Sequence, residues 1–536
     1  MNTRITLMTI LTLLSLFAGA QDEKTAWDNT INKDWPEGFQ EAEIQSSVDG
    51  TQQKAVFHSS NENEAQPLIV SLHTWSGDYL QKDPLADEIL LRGWNYIHPD
   101  FRGSNTKPEA CGSEKVIPDI EDAIHYAIEH GNVDTTEVHI IGVSGGGYAT
   151  LLAFMKLDYP VKSFNAWASI SNLENWYWEC KGRGLKYAGH LEQVTTNGNG
   201  FDAAEARKRS PLFASYQSEK RKGASLNIYA GIHDGYTGSV PISHSIDMYN
   251  KLIDDMYPEK AGEKISESQA YSLLTKQINP EAEPNAMIGG RQIELRKELP
   301  GLTFTLFDGT HEMLVPQALP LIDQSTNSTS KAYNVITIGD SNGTFPYSWT
   351  QQLKKLLPFS TLVNRSIAGN TIGFDNLDRE ELNTLRNINR YLDEAYAELG
   401  EEEEFDYLFI NLGTNDTKTI FAKRQKEVYD NFETLIGMIR NYMKEHGKTV
   451  PTICWVSPSP MDAAKANREK YDGGDQRIQI NNKKFEKLAV RDGINFLNTY
   501  GVLKPGFENK TEDGVHLKAP AQFRLASEIA KWIDQQ

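Results

Sequence analysis

The sequence predicts a mixed α/β protein built as two layered domains, each a mostly parallel sheet between helices. Three observations lead there. Short β-branched runs alternate with helical stretches through the first half; the alternation restarts after the small polar run Asp323-Gln324-Ser325-Thr326-Asn327-Ser328-Thr329-Ser330; and in each half one strand ends in a serine beside a helix start. A βα rhythm of this kind makes parallel strands covered on both faces, with chemistry at their carboxyl ends.

At 536 residues the chain exceeds what one ordinary core holds, which independently favours two domains. Hydrophobic residues at 39% and charged residues at 24% describe a soluble globular protein, and a net charge of −19 argues against nucleic acid or anionic membrane as partner. Residues 1–20 read as an export signal: Arg4 precedes a mostly apolar stretch from Ile5 to Phe17, and Ala18-Gly19-Ala20 is a small-residue cleavage site. The mature chain would begin at Gln21 and be periplasmic or secreted. No cysteine follows the cut to carry a lipid, and no later segment reads as membrane-spanning, so no membrane anchor is expected. In an oxidising compartment Cys111 and Cys180, both in polar sequence, are expected to form a disulfide, with Cys454 a buried thiol in Thr452-Ile453-Cys454-Trp455-Val456; three unpaired thiols is the alternative.

In the first half, Glu41 to Val48 and Gln52 to Phe57 alternate around Asp49-Gly50 and read as a hairpin. Pro67 to His73 is a buried strand, Asp83 to Leu91 a helix, Trp94 to His98 a strand and Ile117 to Glu129 an amphipathic helix. His139-Ile140-Ile141-Gly142-Val143-Ser144-Gly145-Gly146-Gly147 then turns sharply from strand to helix with Ser144 at the corner. Glycines two before and two after the serine let the backbone pass close to itself, lift the hydroxyl clear and leave the Gly145 amide free to donate to an oxyanion. Two further strands, Leu226 to Ile232 and Leu302 to Phe307, run into His233-Asp234-Gly235 and Asp308-Gly309-Thr310-His311.

With a serine, a carboxylate and an imidazole at three strand ends in that order, residues 40–322 resemble the α/β-hydrolase fold. The chemistry needs these types: His311 takes the proton of Ser144, and Asp234 orients and stabilises the imidazole, with Asp308 a rival for the acid. Esterases of the fold often carry His-Gly-Gly after the third strand; here His73-Thr74-Trp75-Ser76-Gly77 stands there, and Trp75 rather than Thr74 is expected to give the second oxyanion amide. Residues 172–222 break the rhythm where the family inserts a cap, and Trp176, Trp178, Lys181 and Arg183 within it are candidate substrate contacts, aromatic faces for a sugar ring and bases for a uronic carboxylate. Ordinary packing and a solvated basic loop are the alternative.

The polar run at 323–331 reads as a linker between domains at 21–322 and 332–536. Beyond it Tyr333 to Ile338 is a strand leading into Gly339-Asp340-Ser341-Asn342, then a helix from Ser348 to Leu356. Ser366-Ile367-Ala368-Gly369-Asn370 is a glycine turn. The strand Phe405 to Ile410 leads into Asn411-Leu412-Gly413-Thr414-Asn415-Asp416, and Asp513-Gly514-Val515-His516 precedes the terminal helix. These four blocks resemble the SGNH, or GDSL-type, hydrolases, which implies a flavodoxin-like three-layer domain. The resemblance makes Ser341 the nucleophile, Asp513 and His516 its acid and base, and the Gly369 amide and Asn415 side chain oxyanion donors beside the Ser341 amide. Asn342 stands where the family more often has an apolar residue. Glu401 to Glu404 reads as a solvated acidic loop, and no metal spacing, phosphate loop or nucleotide fingerprint is present, so no cofactor is expected.

Two serine sites, an export signal and no cofactor motif resemble bacterial carbohydrate esterases that strip acetyl, methyl or other ester groups from polysaccharide or oligosaccharide. A prolyl-oligopeptidase-like peptidase joined to an SGNH esterase is one alternative; one domain serving as a non-catalytic carbohydrate-binding module is another. Oligomeric state is not legible in the sequence.

Overall fold

The computed structural model describes residues 30–276, 286–324 and 331–536. The expected export signal lies outside them, as do residues 325–330 of the expected linker.

Among the described residues the first half holds ten strands: β1 (Gln40–Gln45), β2 (Gln52–His58), β3 (Gln66–Leu72), β4 (Asn95–Pro99), β5 (Val133–Val143), β6 (Ser163–Trp167), β7 (Ser225–Gly231), β8 (Met287–Ile288), β9 (Arg291–Leu299) and β10 (Leu302–Phe307). They form one sheet in the order β1-β2-β4-β3-β5-β6-β7-β10-β9-β8. The six strands from β4 to β10 in that order are parallel neighbours, and the antiparallel pairs lie at the two ends. β4 and β6 are buried along their whole length, as central strands covered on both faces are, although each carries polar residues such as Asn95 and Asn165. Helices 116–130, 145–156 and 243–256 pack into one buried cluster, and helices 85–92 and 315–324 into another, so both sheet faces are covered. The interruption at 172–222 is helical, with helices at 173–182, 187–196 and 203–208.

The second half is a five-stranded parallel sheet of β11 (Asn334–Gly339), β12 (Thr361–Asn364), β13 (Tyr407–Asn411), β14 (Thr452–Val456) and β15 (Asn495–Leu497), in the order β12-β11-β13-β14-β15. Helices 384–399, 425–445 and 474–492 cover one face and helices 349–356 and 519–534 the other, giving three layers. Among the described residues no helix is long and apolar enough to cross a membrane.

The halves share no strand but touch. Helix 85–92 packs on helix 519–534 and helix 315–324 on helix 349–356. Lys355 Nζ lies 2.7 Å from Glu88 Oε1, and Glu88 also pairs with Arg92 at 2.8 Å. The Arg92 guanidinium stands 4.8 Å from the centre of the Phe523 ring. Phe359 is buried in a cluster otherwise made by the first half, and the Gly289 amide donates to Pro358 O at 2.7 Å.

The expected Cys111–Cys180 disulfide is not formed: Cys111, Cys180 and Cys454 are all buried free thiols. Cys111 sits in the tight loop ahead of helix 116–130, with Tyr148 Oη 4.0 Å from its sulfur, whereas Cys180 is on the inward face of cap helix 173–182. Burial pushes both thiols up to about 12, which keeps them protonated and unreactive at neutral pH. Polar neighbours in sequence misled because each cysteine is the inward-facing residue of an otherwise polar segment.

Two candidate active sites

At the first site β5 delivers the chain to Ser144, which takes φ 58° and ψ −117°, a conformation that costs a non-glycine residue strain. Its amide donates to Trp167 O at 2.9 Å, fixing the corner against β6. The surrounding glycines are required sterically. A Cβ at Gly142 would stand 2.3 Å from the Gly146 carbonyl carbon, and one at Gly146 would stand 2.0 Å from Leu72 O. A Cβ at Gly145 would come within 2.3 Å of the Trp75 amide nitrogen, so this close approach brings together the two backbone donors expected of an oxyanion hole. The Trp75 indole turns toward the cap, donating to His190 at 3.3 Å and packing edge-on against Trp176.

The end of β3, which leads into Trp75, is braced from beneath. Ser71 and Tyr96 both donate to Asp83 Oδ2, the latter at 2.8 Å, beside a cavity lined also by His98, Gly142, Val143 and Met313. Burial, with His73 alongside, pushes His98 down to about 3, so this imidazole is neutral and belongs to the scaffold.

Asp234 follows β7 and is almost fully buried. Its Oδ1 accepts from the amides of Gly235 at 2.8 Å and Val240 at 3.1 Å, leaving Oδ2 to face His311 Nδ1 at 2.6 Å. Asp308, the rival acid, pairs instead with His233 at 3.0 Å. His311 Nε2 lies 3.3 Å from Ser239 Oγ, in a loop whose carbonyls are gripped by the cap: Trp176 Nε1 donates to Ser239 O at 2.9 Å and Arg183 to Gly238 O. No sequence signal marked Ser239, which sits on a loop between a strand end and a helix.

Of the four cap candidates, Trp176 and Arg183 therefore reach the loop beside His311. Trp176 does so as a buried ring and not as an open platform. Lys181 is tied to Glu192 at 3.1 Å and to Tyr177, and Trp178 is 59% exposed against Tyr177 and Phe201, so the structure engages both with the cap itself.

At the second site β11 ends at Gly339 and the chain tightens into a single turn at Ser341–Gly343, capped by Asp340, whose Oδ1 accepts from the Asn342 amide at 3.0 Å. His516 Nε2 stands 3.0 Å from Ser341 Oγ and its Nδ1 2.5 Å from Asp513 Oδ2. Asp513 Oδ1 accepts the amides of Val515 at 3.0 Å and His516 at 2.8 Å. Burial works against the ionised carboxyl here, but these amides and the imidazole outweigh it and hold Asp513 below the usual carboxylate range. Spacing of three in D-x-x-H thus lets one carboxylate cap the turn with one oxygen and orient the base with the other.

Asn415, after β13, donates from Nδ2 to Asn370 O at 3.0 Å, next to Gly369, whose φ of +87° only glycine adopts readily. Asp416 accepts from the Ile372 amide at 3.0 and 3.1 Å, so consecutive residues of one strand end hold the same glycine turn. Asn342, the departure from the family pattern, has a structural use. Its Oδ1 accepts from the Leu517 amide at 2.9 Å, joining the nucleophile turn to the residue after His516. The sites differ in access: the His516 side chain is 39% exposed and that of Asp513 54%, against 14% for His311 and 1% for Asp234.

Residues 333–522 match the GDSL-like Lipase/Acylhydrolase family, and residues 87–272 match the Prolyl oligopeptidase family. Among similar solved structures is Est24, a carbohydrate acetylesterase from Sinorhizobium meliloti, 20% identical over 38% of this chain and 98% of that one, with a TM-score of 0.31. An aryl esterase from M. smegmatis is 18% identical over 38% of this chain and 99% of that one, TM-score 0.31. A Pyrococcus horikoshii acylaminoacyl peptidase is 19% identical over 41% of this chain, TM-score 0.33, and this chain spans about a third (35%) of its length.

Proposed function

We propose that this chain, a serine ester hydrolase with a prolyl-oligopeptidase-family segment followed by a GDSL-family segment, is an exported esterase that removes two different ester groups from polysaccharide. The observation that carries this reading is two separate imidazole–carboxylate pairs of opposite access, His311 with Asp234 beside a helical cap and His516 with Asp513, next to Ser341, open to solvent. An open site accepts a short acyl group on a bulky polymer, so the second is assigned deacetylation; the capped site takes another acyl group or a methyl ester on a uronate. Tethering keeps each site near the other's product.

The test is release of acetate, methanol and ferulate from pectin, xylan and their oligomers by the wild type, Ser144→Ala and Ser341→Ala. Each substitution should lower its own site's turnover by several orders of magnitude and leave the other's product unchanged. Loss of every activity in either variant, or identical products from both sites, would overturn the division. The family match over 87–272 favours a second reading for the capped site, cleavage of aminoacyl substrates. Hydrolysis of these by the wild type and not by Ser144→Ala, with no sugar ester cleaved there, would establish it. A reactive-serine probe that labels only one of the two serines would make the other half a binding module.

A further inference from the structure

We propose that the open second site reads an anionic group on its substrate, and that Lys418 is the residue that reads it. This rests on the esterase reading of that site. Lys418 follows Asn415 by three residues and is joined to two of the three residues that carry candidate oxyanion donors, Asn415 directly and Gly369 through Asn376. Its amide donates to Asn415 O at 3.2 Å, and its Nζ donates to Asn376 Oδ1 at 3.0 Å. Asn376 in turn donates from Nδ2 to Gly369 O at 2.6 Å. The ammonium also lies 5.9 Å from the centre of the Tyr471 ring, whose hydroxyl stands 3.3 Å from Asn415 Oδ1. The charge is therefore set beside the place where an ester carbonyl would be polarised.

What it lacks is a direct ion pair: the buried carboxyls of Asp340 and Asp416 favour its charge, but neither comes within 4.0 Å of it. Two more cations adjoin it: Lys470, close enough to disfavour the Lys418 charge, and Arg477, which donates to Thr417 O at 2.8 Å. Among the described residues none of the three has a carboxylate oxygen within 4.0 Å. Burial, with Lys470 nearby, outweighs the more distant Asp340 and Asp416 and holds the Lys418 ammonium below its usual range, so these carboxyls offset only part of the cost of burying it. A chain with net charge −19 has carboxylates in excess to pair with these groups. A cationic rim without a direct ion pair beside a hydrolytic centre fits an arriving carboxylate, as on an acidic sugar, better than a structural ion pair.

The matched probes are the methyl glycosides of acetylated galacturonate and acetylated galactose, which differ by a carboxylate against a hydroxymethyl group. The wild type should prefer the galacturonate, with the preference weakening as salt rises. Lys418→Met should lower the ratio of the two kcat/KM values by about tenfold, the size of one charge-assisted hydrogen bond, and Lys418→Arg should largely restore it. An unchanged ratio, or equal loss on both substrates, would overturn the proposal and leave Lys418 as a support for Asn376. Ser341→Ala separates the two levels: if it still hydrolyses both glycosides at the wild-type rate, the esterase reading of the site fails; if it does not, the ratio judges Lys418 alone.

Discussion

Asp234 and Asp308 each follow a strand that ends near the same imidazole, which leaves them rivals in the sequence. Hydrogen-bond arithmetic separates them. A carboxylate that orients a base must have one oxygen immobilised and the other free, and Asp234 meets this with two amides on Oδ1 and His311 on Oδ2, in near-complete burial. Asp308 is more than half exposed and occupied by His233. Asp234→Asn should keep the fold and lower capped-site kcat by roughly 10³–10⁴-fold, because the amide favours the wrong tautomer. Asp308→Asn should change it by less than about threefold, the scale of a surface substitution. A steady-state comparison on any capped-site substrate decides between them, and a larger effect at Asp308 would reverse the assignment. At this scale the pairing of Asp234 with His311, and of Asp513 and Ser341 with His516, was legible because hydrolytic chemistry demands fixed residue types, at strand ends in the first half and in D-x-x-H before the last helix in the second. Ser239 and Lys418 were not, because nothing in their sequence neighbourhood distinguishes a polar loop residue that meets the site from one that meets water; Asn342 stood out in the motif, but its bond to the Leu517 amide did not.

The strand ends and their turns show what periodicity can and cannot reveal. Strands β3, β7, β10, β11 and β13 announced themselves as apolar, largely β-branched or aromatic runs stopping at glycine or a polar cluster, with boundaries displaced by at most two residues, whereas β5 begins six residues ahead of the run from His139. The β8–β9 hairpin did not, since Arg291–Leu299 carries charge at an edge where alternation is loose. Helices 384–399, 425–445 and 474–492 lie between motifs that drew the reading elsewhere. The sequence shows the glycine turn at 366–370 but not what holds the residues after it: Asp416 sits in the motif beside Asn415 with a carboxyl that burial pushes up to about 7, against the amides of Ile372 and Gly373. Its folded value thus exceeds the unfolded one, near 3.9. Between about pH 4 and 7 the folded chain holds a proton the unfolded chain has lost, so this residue's contribution to stability is full below that window and declines as pH rises through it. Thermal unfolding of wild type and Asp416→Asn from pH 5 to 8 should show the wild type losing stability relative to the variant, and a constant difference would refute the buried, protonatable state.

At the scale of the whole molecule, the restart of the βα rhythm and the polar run at 323–330 point to two domains, and the contact between the halves decides whether they act as one body. The buried ends of this contact are specific. Glu88 is shared by Arg92 and Lys355, burial opposing its charge while the two cations outweigh that and hold it below the usual carboxylate range. Phe359, from the second half, lies under the Arg296 guanidinium at 4.4 Å in a first-half cluster with Ile288 and Ile293. Breaking one partner of a buried pair leaves an uncompensated charge, and removing a buried phenylalanine costs about 3–5 kcal/mol in a core, so the interface should outlast the covalent connection. A protease site inserted at 325–330 and cut to completion should yield two fragments that still co-elute in gel filtration and keep both activities. Phe359→Ala combined with Lys355→Ala should let the cut fragments separate, each folded and each retaining its own hydrolysis. Separation of the cut wild-type fragments would show that the halves are tethered neighbours and not a single docked body. Loss of all structure on cutting would instead show that neither half is a domain.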